Sequence, residues 1–131
     1  MVPNLISDKF LLDFIERYAS IGTWEFNLIT NALRWSSETK KIHEVDNDFV
    51  PNIELGINFY KEGYSRNTIN KLFRQCIDNQ KKFDTEVQIV TAKGNDLWVR
   101  VIGTPVIDNG ICIKIQGLFQ DIDEKTKISN R

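Results

Sequence analysis

The sequence predicts an α+β fold in which helices cover one face of a five-stranded antiparallel sheet. Three observations predict it: the apolar period changes from about 3.6 to 2 at Gly22, a single long segment returns to helical spacing after Ser65, and three alternating segments follow it, divided by glycine-containing turns. At 131 residues the chain has room for one core.

Leu11, Phe14, Ile15 and Tyr18 fall at i, i+3, i+4 and i+7 and predict an amphipathic helix capped by Ser7 or Asp8. In "GTWEFNLITNALRWSS", Trp24, Phe26 and Leu28 alternate with Thr23, Glu25 and Asn27, so Gly22 begins a half-buried strand. Thr30-Asn31 turns the chain, Ala32 to Trp35 returns it, and Ser36 or Ser37 caps a short helix through His43. The stretch from Asp46 to Gly63 reads as irregular structure with one or two single-turn helices. Ser65 is expected to cap the best-defined helix, whose stripe is Ile69, Leu72, Phe73, Cys76 and Ile77. The segments "FDTEVQIVTA", "LWVRVIGTPV" and "ICIKIQGLFQDI", turned at Lys93-Gly94-Asn95 and Asp108-Asn109-Gly110, predict a meander. Ile111, Ile113 and Ile115 alternate with Cys112, Lys114 and Gln116, which predicts one buried face for the last strand.

Bulk properties exclude several functions. With 17 basic against 18 acidic side chains the net charge is −1, too balanced to gather a phosphate backbone, so no nucleic-acid partner is expected. No apolar run reaches the roughly 20 residues of a membrane span, and "MVPNLISDKF" lacks the features of a signal peptide. The expectation is a cytoplasmic domain without membrane insertion, or the cytosolic part of a membrane-anchored sensor. Cys76 and Cys112 match no zinc or redox spacing and read as buried free thiols. Asp84 and Glu86 have no histidine beside them and read as surface charges or partners of Arg100; no metal site is expected. One histidine, no nucleophile elbow and no phosphate loop argue against an enzyme.

The order of elements, and the words "GTWEFNLITNALRWSSETKKI", "GYSRNTINKLFRQCIDNQKKFDTEVQIVTAKGNDLWVRVIGTPV" and "GICIKIQGLFQDIDEKTK", resemble the PAS domain with its C-terminal PAC segment. The tail departs once from the family's Asp-Ile-Thr ending, with Asp123 in the third place, where aspartate caps a helix as threonine does. The resemblance divides the chain into an N-terminal flanking helix (1–20), a sensor domain (21–123) and the start of a connector helix (124–131). It implies a cytosolic sensory and dimerisation module of a signal-transduction protein. The covalently linked output module would be a histidine kinase or a diguanylate cyclase. The alternative is a constitutive protein-interaction domain without ligand.

In this family the space between sheet and helices sometimes holds haem, flavin or a small metabolite. Covalent flavin photochemistry needs a cysteine that "GINFYKEGYSRN" lacks, and the positions of the flavin-binding amides are Ile89, Val99 and Phe119 here. Haem needs an axial ligand, and the sole histidine, His43, beside Glu44, is expected to face solvent. Flavin and haem are therefore not expected. The candidate pocket is apolar: Leu72, Phe73 and Ile77 on the helix face Val87, Ile89, Val99, Val101, Ile113, Ile115 and Phe119 on the strands. It is either packed core or a site for a small apolar metabolite. Gly103 and Gly117 free volume at inward strand positions, for a ligand or for Trp24 or Phe26. The resemblance gives signal transmission to Gly117, Asp121, Ile122 and Asp123. It gives a homodimer face to Leu11, Phe14 and Tyr18 on the first helix and Trp98 on the outer face of the sheet, unless the helix covers that face within its own chain.

Overall fold

The computed structural model describes residues 7–123. Its elements are α1 (Asp8–Ala19), β1 (Ile21–Asn27), β2 (Leu33–Trp35), α2 (Ser37–Ile42), α3 (Ile53–Phe59), α4 (Tyr64–Asn79), β3 (Phe83–Val90), β4 (Asp96–Asp108) and β5 (Ile111–Asp121). The five strands form one antiparallel sheet in the order β2-β1-β5-β4-β3. The N-terminal hairpin thus docks beside the last strand, and β5 becomes the central strand.

Each helix begins where a short polar side chain satisfies an orphan amide. Ser7 accepts from Phe10 N at 3.1 Å and Asn52 from Leu55 N at 2.9 Å. Ser36 caps α2 by accepting from Thr39 N, and the same oxygen accepts from Thr23 N at 2.9 Å. One hydroxyl thereby fixes α2 to β1. Thr39 completes the joint by donating its hydroxyl to Thr23 O. The exception is α4, whose cap is Gly63 rather than Ser65. Ser65 lies one residue inside the helix, where its buried hydroxyl accepts from Gln88 N and ties α4 to β3.

The inner face of the sheet carries the core: Val87 and Ile89 on β3, Val99 and Val101 on β4, and Ile115 on β5 are at most 1% exposed. Ile69 and Cys76 of α4 close over them, with Leu72, Phe73 and Ile77 half-buried beside them.

The last strand departs from the simple alternation of its sequence. Val106 pairs with Lys114 and Ile107 with Cys112, so Ile113 is an extra residue at a β-bulge. The bulge reverses the facing of the residues before it. Cys112 turns into the core while Ile111 is 66% exposed, and Ile113 is half-buried rather than a wall of the core.

Gly103 and Gly117 face each other across β4 and β5. A side chain at Gly103 would enter the Phe83 ring, so that space belongs to the core. At Gly117 a Cβ would fall on the carbonyl of Ile102. That carbonyl, at 3.1 Å, and the carbonyl of Leu118, at 3.2 Å, accept from the indole N–H of Trp24. Trp24 supplies a donor where two backbone carbonyls approach it.

Candidate functional site

Between the sheet and the helices lies a cavity of about 30 Å³. It is roughly the space of one water, and about a tenth of the volume at which small-molecule pockets begin. The sheet contributes Trp24, Leu33, Trp35 and Phe119 to its wall, and α4 contributes Phe73. Ile53, Gly56 and Ile57 of α3 form one side, with His43 and Tyr60 just beyond the ends of α2 and α3. Of the ten strand and helix residues proposed from sequence, the cavity meets only Phe73 and Phe119. Val87, Ile89, Val99, Val101 and Ile115 are sealed in the core below it, and Leu72, Ile77 and Ile113 stand at the edge of the packing.

Aromatic rings fill the rest of the space. Trp35 stacks on His43 with centroids 3.9 Å apart and planes 15° from parallel. Phe119 stacks against the same imidazole at 4.6 Å, and Phe59 meets it edge-on at 4.9 Å. Trp24 lies over Phe73 at 5.4 Å and 10°.

His43 corrects the expectation that it faces solvent: it is 1% exposed. It follows directly on α2, and its Nδ1 is 2.8 Å from Thr39 O, one helical turn earlier. A carbonyl oxygen only accepts, so Nδ1 carries the proton and Nε2 the lone pair. Burial among rings disfavours the cation and pushes the imidazole down to about 4, against the smaller opposing effect of the Thr39 hydrogen bond. Burial likewise raises the Tyr60 hydroxyl above the usual phenolic range.

Neither large cofactor fits this packing. A haem or a flavin far exceeds a space of about 30 Å³. Ile89 and Val99, in the places expected of flavin-binding amides, are fully buried and offer no hydrogen bond. Cys76 and Cys112 are free and buried, and burial, followed by the neighbouring Cys112, pushes the Cys76 thiol up to about 11. That makes it a poor thiolate. Arg100 holds Asp84 through two hydrogen bonds and lowers its carboxyl, as expected of a surface pair. Among the described residues no group of three or more acidic, histidine or cysteine side chains is arranged to hold a metal, and no helix is long and apolar enough to cross a membrane.

The residues proposed for signal transmission meet the start of the domain. Asp121 N donates to Ser20 O at 3.1 Å, and the amide of Gln120 reaches Ala19 O at 3.5 Å. Ile122 N donates to Trp98 O at 3.0 Å, and Trp98 N returns a bond to Asp123 Oδ1 at 3.1 Å. Asp123 N in turn donates to Asp121 Oδ1 at 2.9 Å. The end of α1, the start of β4 and the end of β5 therefore form one hydrogen-bonded junction. Gly117 lies on β5 between that junction and the bulge.

The proposed dimer face is open on α1. Phe14 stacks on Tyr18 at 4.4 Å and on Phe10 at 6.1 Å, yet no residue of the helix is buried and Leu11 and Phe14 are each 43% exposed. The polar side is the one turned inward, where Asp13, Glu16 and Arg17 share a cleft with Ser36, Ser37, Glu38 and Lys41. Burial, then the carboxylates of Asp13 and Glu38, raise the Glu16 carboxyl there. Trp98, on the outer face of β4, is half-buried.

Sequence reasoning missed Trp35, His43 and Tyr60 as lining of the cavity, and Phe59 as the ring set edge-on to His43. The available signal was the aromatic density between Trp35 and Tyr60, which irregular structure does not require.

The same architecture occurs in known proteins. The sensor protein FixL of Bradyrhizobium diazoefficiens is 23% identical over 109 residues, covering 82% of this chain but 21% of FixL. The chain thus spans about a fifth of that relative. A sensory box histidine kinase/response regulator of Burkholderia thailandensis superimposes with a TM-score of 0.75 at 18% identity, covering 91% of this chain and 89% of the other. The N-terminal domain of a diguanylate cyclase with PAS/PAC sensor from Marinobacter aquaeolei gives 0.72 at 15% identity, covering 81% and 98%. The family model described as PAS fold matches residues 32–119, well over half of the sequence, and the chain belongs to that family.

Proposed function

We propose that residues 21–123 act as the sensory and dimerisation domain of a cytoplasmic signal-transduction protein and pass their state to an output module, a histidine kinase or a diguanylate cyclase. Residues 124–131, outside the described residues, are assigned as the start of the connector. The observation that carries this reading is the junction at which Ser20, Trp98, Asp121 and Asp123 tie the entry and exit of the domain together. A shift of β5 relative to β4 alters those bonds directly. Such a two-state bias needs only a few kcal/mol. In the longer protein carrying its output module, Asp123→Ala is expected to change output activity at least about threefold while the isolated domain stays folded. Unchanged output would overturn the reading.

Dimerisation is supported by the orientation of α1, which keeps its polar face against the domain and presents its aromatic stripe outward. Sedimentation of the intact chain should give a dimer that Phe14→Glu converts to a monomer. A wild-type monomer at micromolar concentration would remove this part of the reading.

The second reading, a constitutive interaction domain without ligand, is favoured by the small size of the cavity.

A further inference from the structure

The β-bulge at Ile113 turns Cys112 to the side of the sheet that α4 covers, where Cys76 lies fully buried. α4 is held to the sheet at both ends. Near its start the Ser65 hydroxyl accepts from Gln88 N, and at its end the Gln80 side-chain amide donates to Gly110 O in the β4–β5 turn. Gln88 pairs with Trp98, whose carbonyl bonds Ile122 N at the junction. α4 therefore runs from the junction towards that turn, opposite to β5.

The anchor at the turn fixes the levels of the two cysteines. Cys76 lies four residues before Gln80, about 6 Å back along the helix. Cys112 lies two residues after Gly110, about 7 Å forward along the strand. Both steps lead away from the same turn, so the thiols reach one level of the core from opposite sides. Cys76 is 0% and Cys112 5% exposed, and both belong to the same cluster of buried side chains. Without the bulge, strand alternation would direct Cys112 to the outer face, away from Cys76.

The surroundings also separate the two sulfurs chemically. Burial, then the nearness of Cys112, pushes the Cys76 thiol up to about 11, so it keeps its proton at neutral pH. Cys112 has the residual exposure, and its thiol makes a long bond of 3.5 Å to Lys114 O. An oxidant arriving from solvent meets Cys112 first.

We propose that Cys76 and Cys112 form a reversible disulfide that joins α4 to β5 when the chain meets a peroxide. The Cys112 thiolate attacks one peroxide oxygen and the O–O bond breaks. The other oxygen leaves as water with the proton the thiol gave up, and Cys112 becomes a sulfenic acid. The Cys76 sulfur then attacks the Cys112 sulfur, the S–O bond breaks, and the hydroxide leaves as water with the Cys76 proton. Two thiols lose one electron each, and one peroxide is reduced to two waters. The bond ties the last turn of α4 to the strand whose other end carries the junction. It gives the sensory reading an oxidant as input and rests on that reading for its biological meaning, while bond formation stands apart from it.

The test treats the intact chain, reduced and freed of reductant, with hydrogen peroxide at neutral pH. Remaining thiols are blocked with N-ethylmaleimide, and a non-reducing digest is read by mass spectrometry. The expected product is a single chain lighter by two hydrogen atoms, with a peptide linking Cys76 to Cys112 that dithiothreitol separates. Amide exchange from Gln75 to Asn79, the last turn of α4, should slow at least about threefold on oxidation and recover on reduction. Cys76→Ala should leave Cys112 as a sulfenic acid that dimedone labels, and Cys112→Ala should leave Cys76 unlabelled. If either variant fails to fold, the wild-type digest decides alone. Two free thiols after treatment, separate sulfinic acids, or a bond only between chains overturns the proposal. A linked peptide that forms equally fast in urea also overturns it, because such pairing owes nothing to the fold. In the longer protein, a bond that forms without any change in output would contradict the sensory reading and leave the disulfide standing. No linked peptide, with output still sensitive to Asp123→Ala, would do the reverse.

Discussion

Gly117→Ala will cost the fold at least about 3 kcal/mol, several times the cost of the same replacement at Gly110. The new Cβ would coincide with the Ile102 carbonyl, a backbone atom of the neighbouring strand that cannot swing away as a side-chain tip does. Separating β4 from β5 there would also withdraw the Ile102 carbonyl, one of the two that the Trp24 indole serves. Gly110, by contrast, sits in the β4–β5 turn at φ 76° with nothing within 4 Å of a new Cβ. Alanine there meets only the left-handed backbone penalty of about 1 kcal/mol. Urea unfolding of both variants measures the difference. Equal losses would mean that the strands adjust at Gly117.

Acidification from pH 6.5 to 4 will remove about 3 kcal/mol of stability through His43 alone. The imidazole titrates at about 4 in the folded chain and near its ordinary 6.5 when unfolded. Between those values the unfolded chain takes up a proton that the folded chain refuses, so stability falls with pH across this window and is fully present above it. Carboxylates add their own acid dependence, and His43→Phe separates the two. That variant removes the titrating group and leaves Thr39 O still bonded by the backbone N–H of residue 43 at 3.2 Å. Unfolding free energies measured from pH 7.5 to 4.5 should fall steeply in the wild type and much less in His43→Phe. Parallel curves would show that the imidazole is accessible and charged in the folded state.

The parts of this fold legible in the sequence are those fixed by local periodicity. The stripe from Ile69 to Ile77 could only be a helix with one buried side, and the turns at Lys93-Gly94-Asn95 and Asp108-Asn109-Gly110 fixed the limits of the meander. The capping of a following helix by Asp123 lies outside the described residues; what the structure describes is a bond its carboxylate accepts from the amide of Trp98, 25 residues earlier, which no local pattern in the tail encodes. What escaped was non-local. The unbroken Ile-x-Ile-x-Ile of β5 conceals the bulge at Ile113, because a bulge is imposed by the register with β4 rather than by composition. His43 reads as a surface residue because Lys41 and Glu44 flank it, and only the sheet brings Trp35 and Phe119 onto its two sides. Ser65 looks like a helix cap because its true acceptor role is toward a strand that begins 18 residues later. The strand alternation alone therefore points to a cavity among residues that pack solidly, whereas the space lies beneath α3.

The central claim is that the entry and exit of the domain move as one unit. Amide hydrogen exchange on wild-type chain and on Asp123→Ala tests it most directly. Loss of the Asp123 carboxylate is expected to reduce protection together at Trp98, Asp121 and Ile122, the amides of the junction, while the β3–β4 ladder from Asp84 to Gln88 keeps its protection. A change confined to Trp98, with Asp121 and Ile122 protected as before, would contradict the claim.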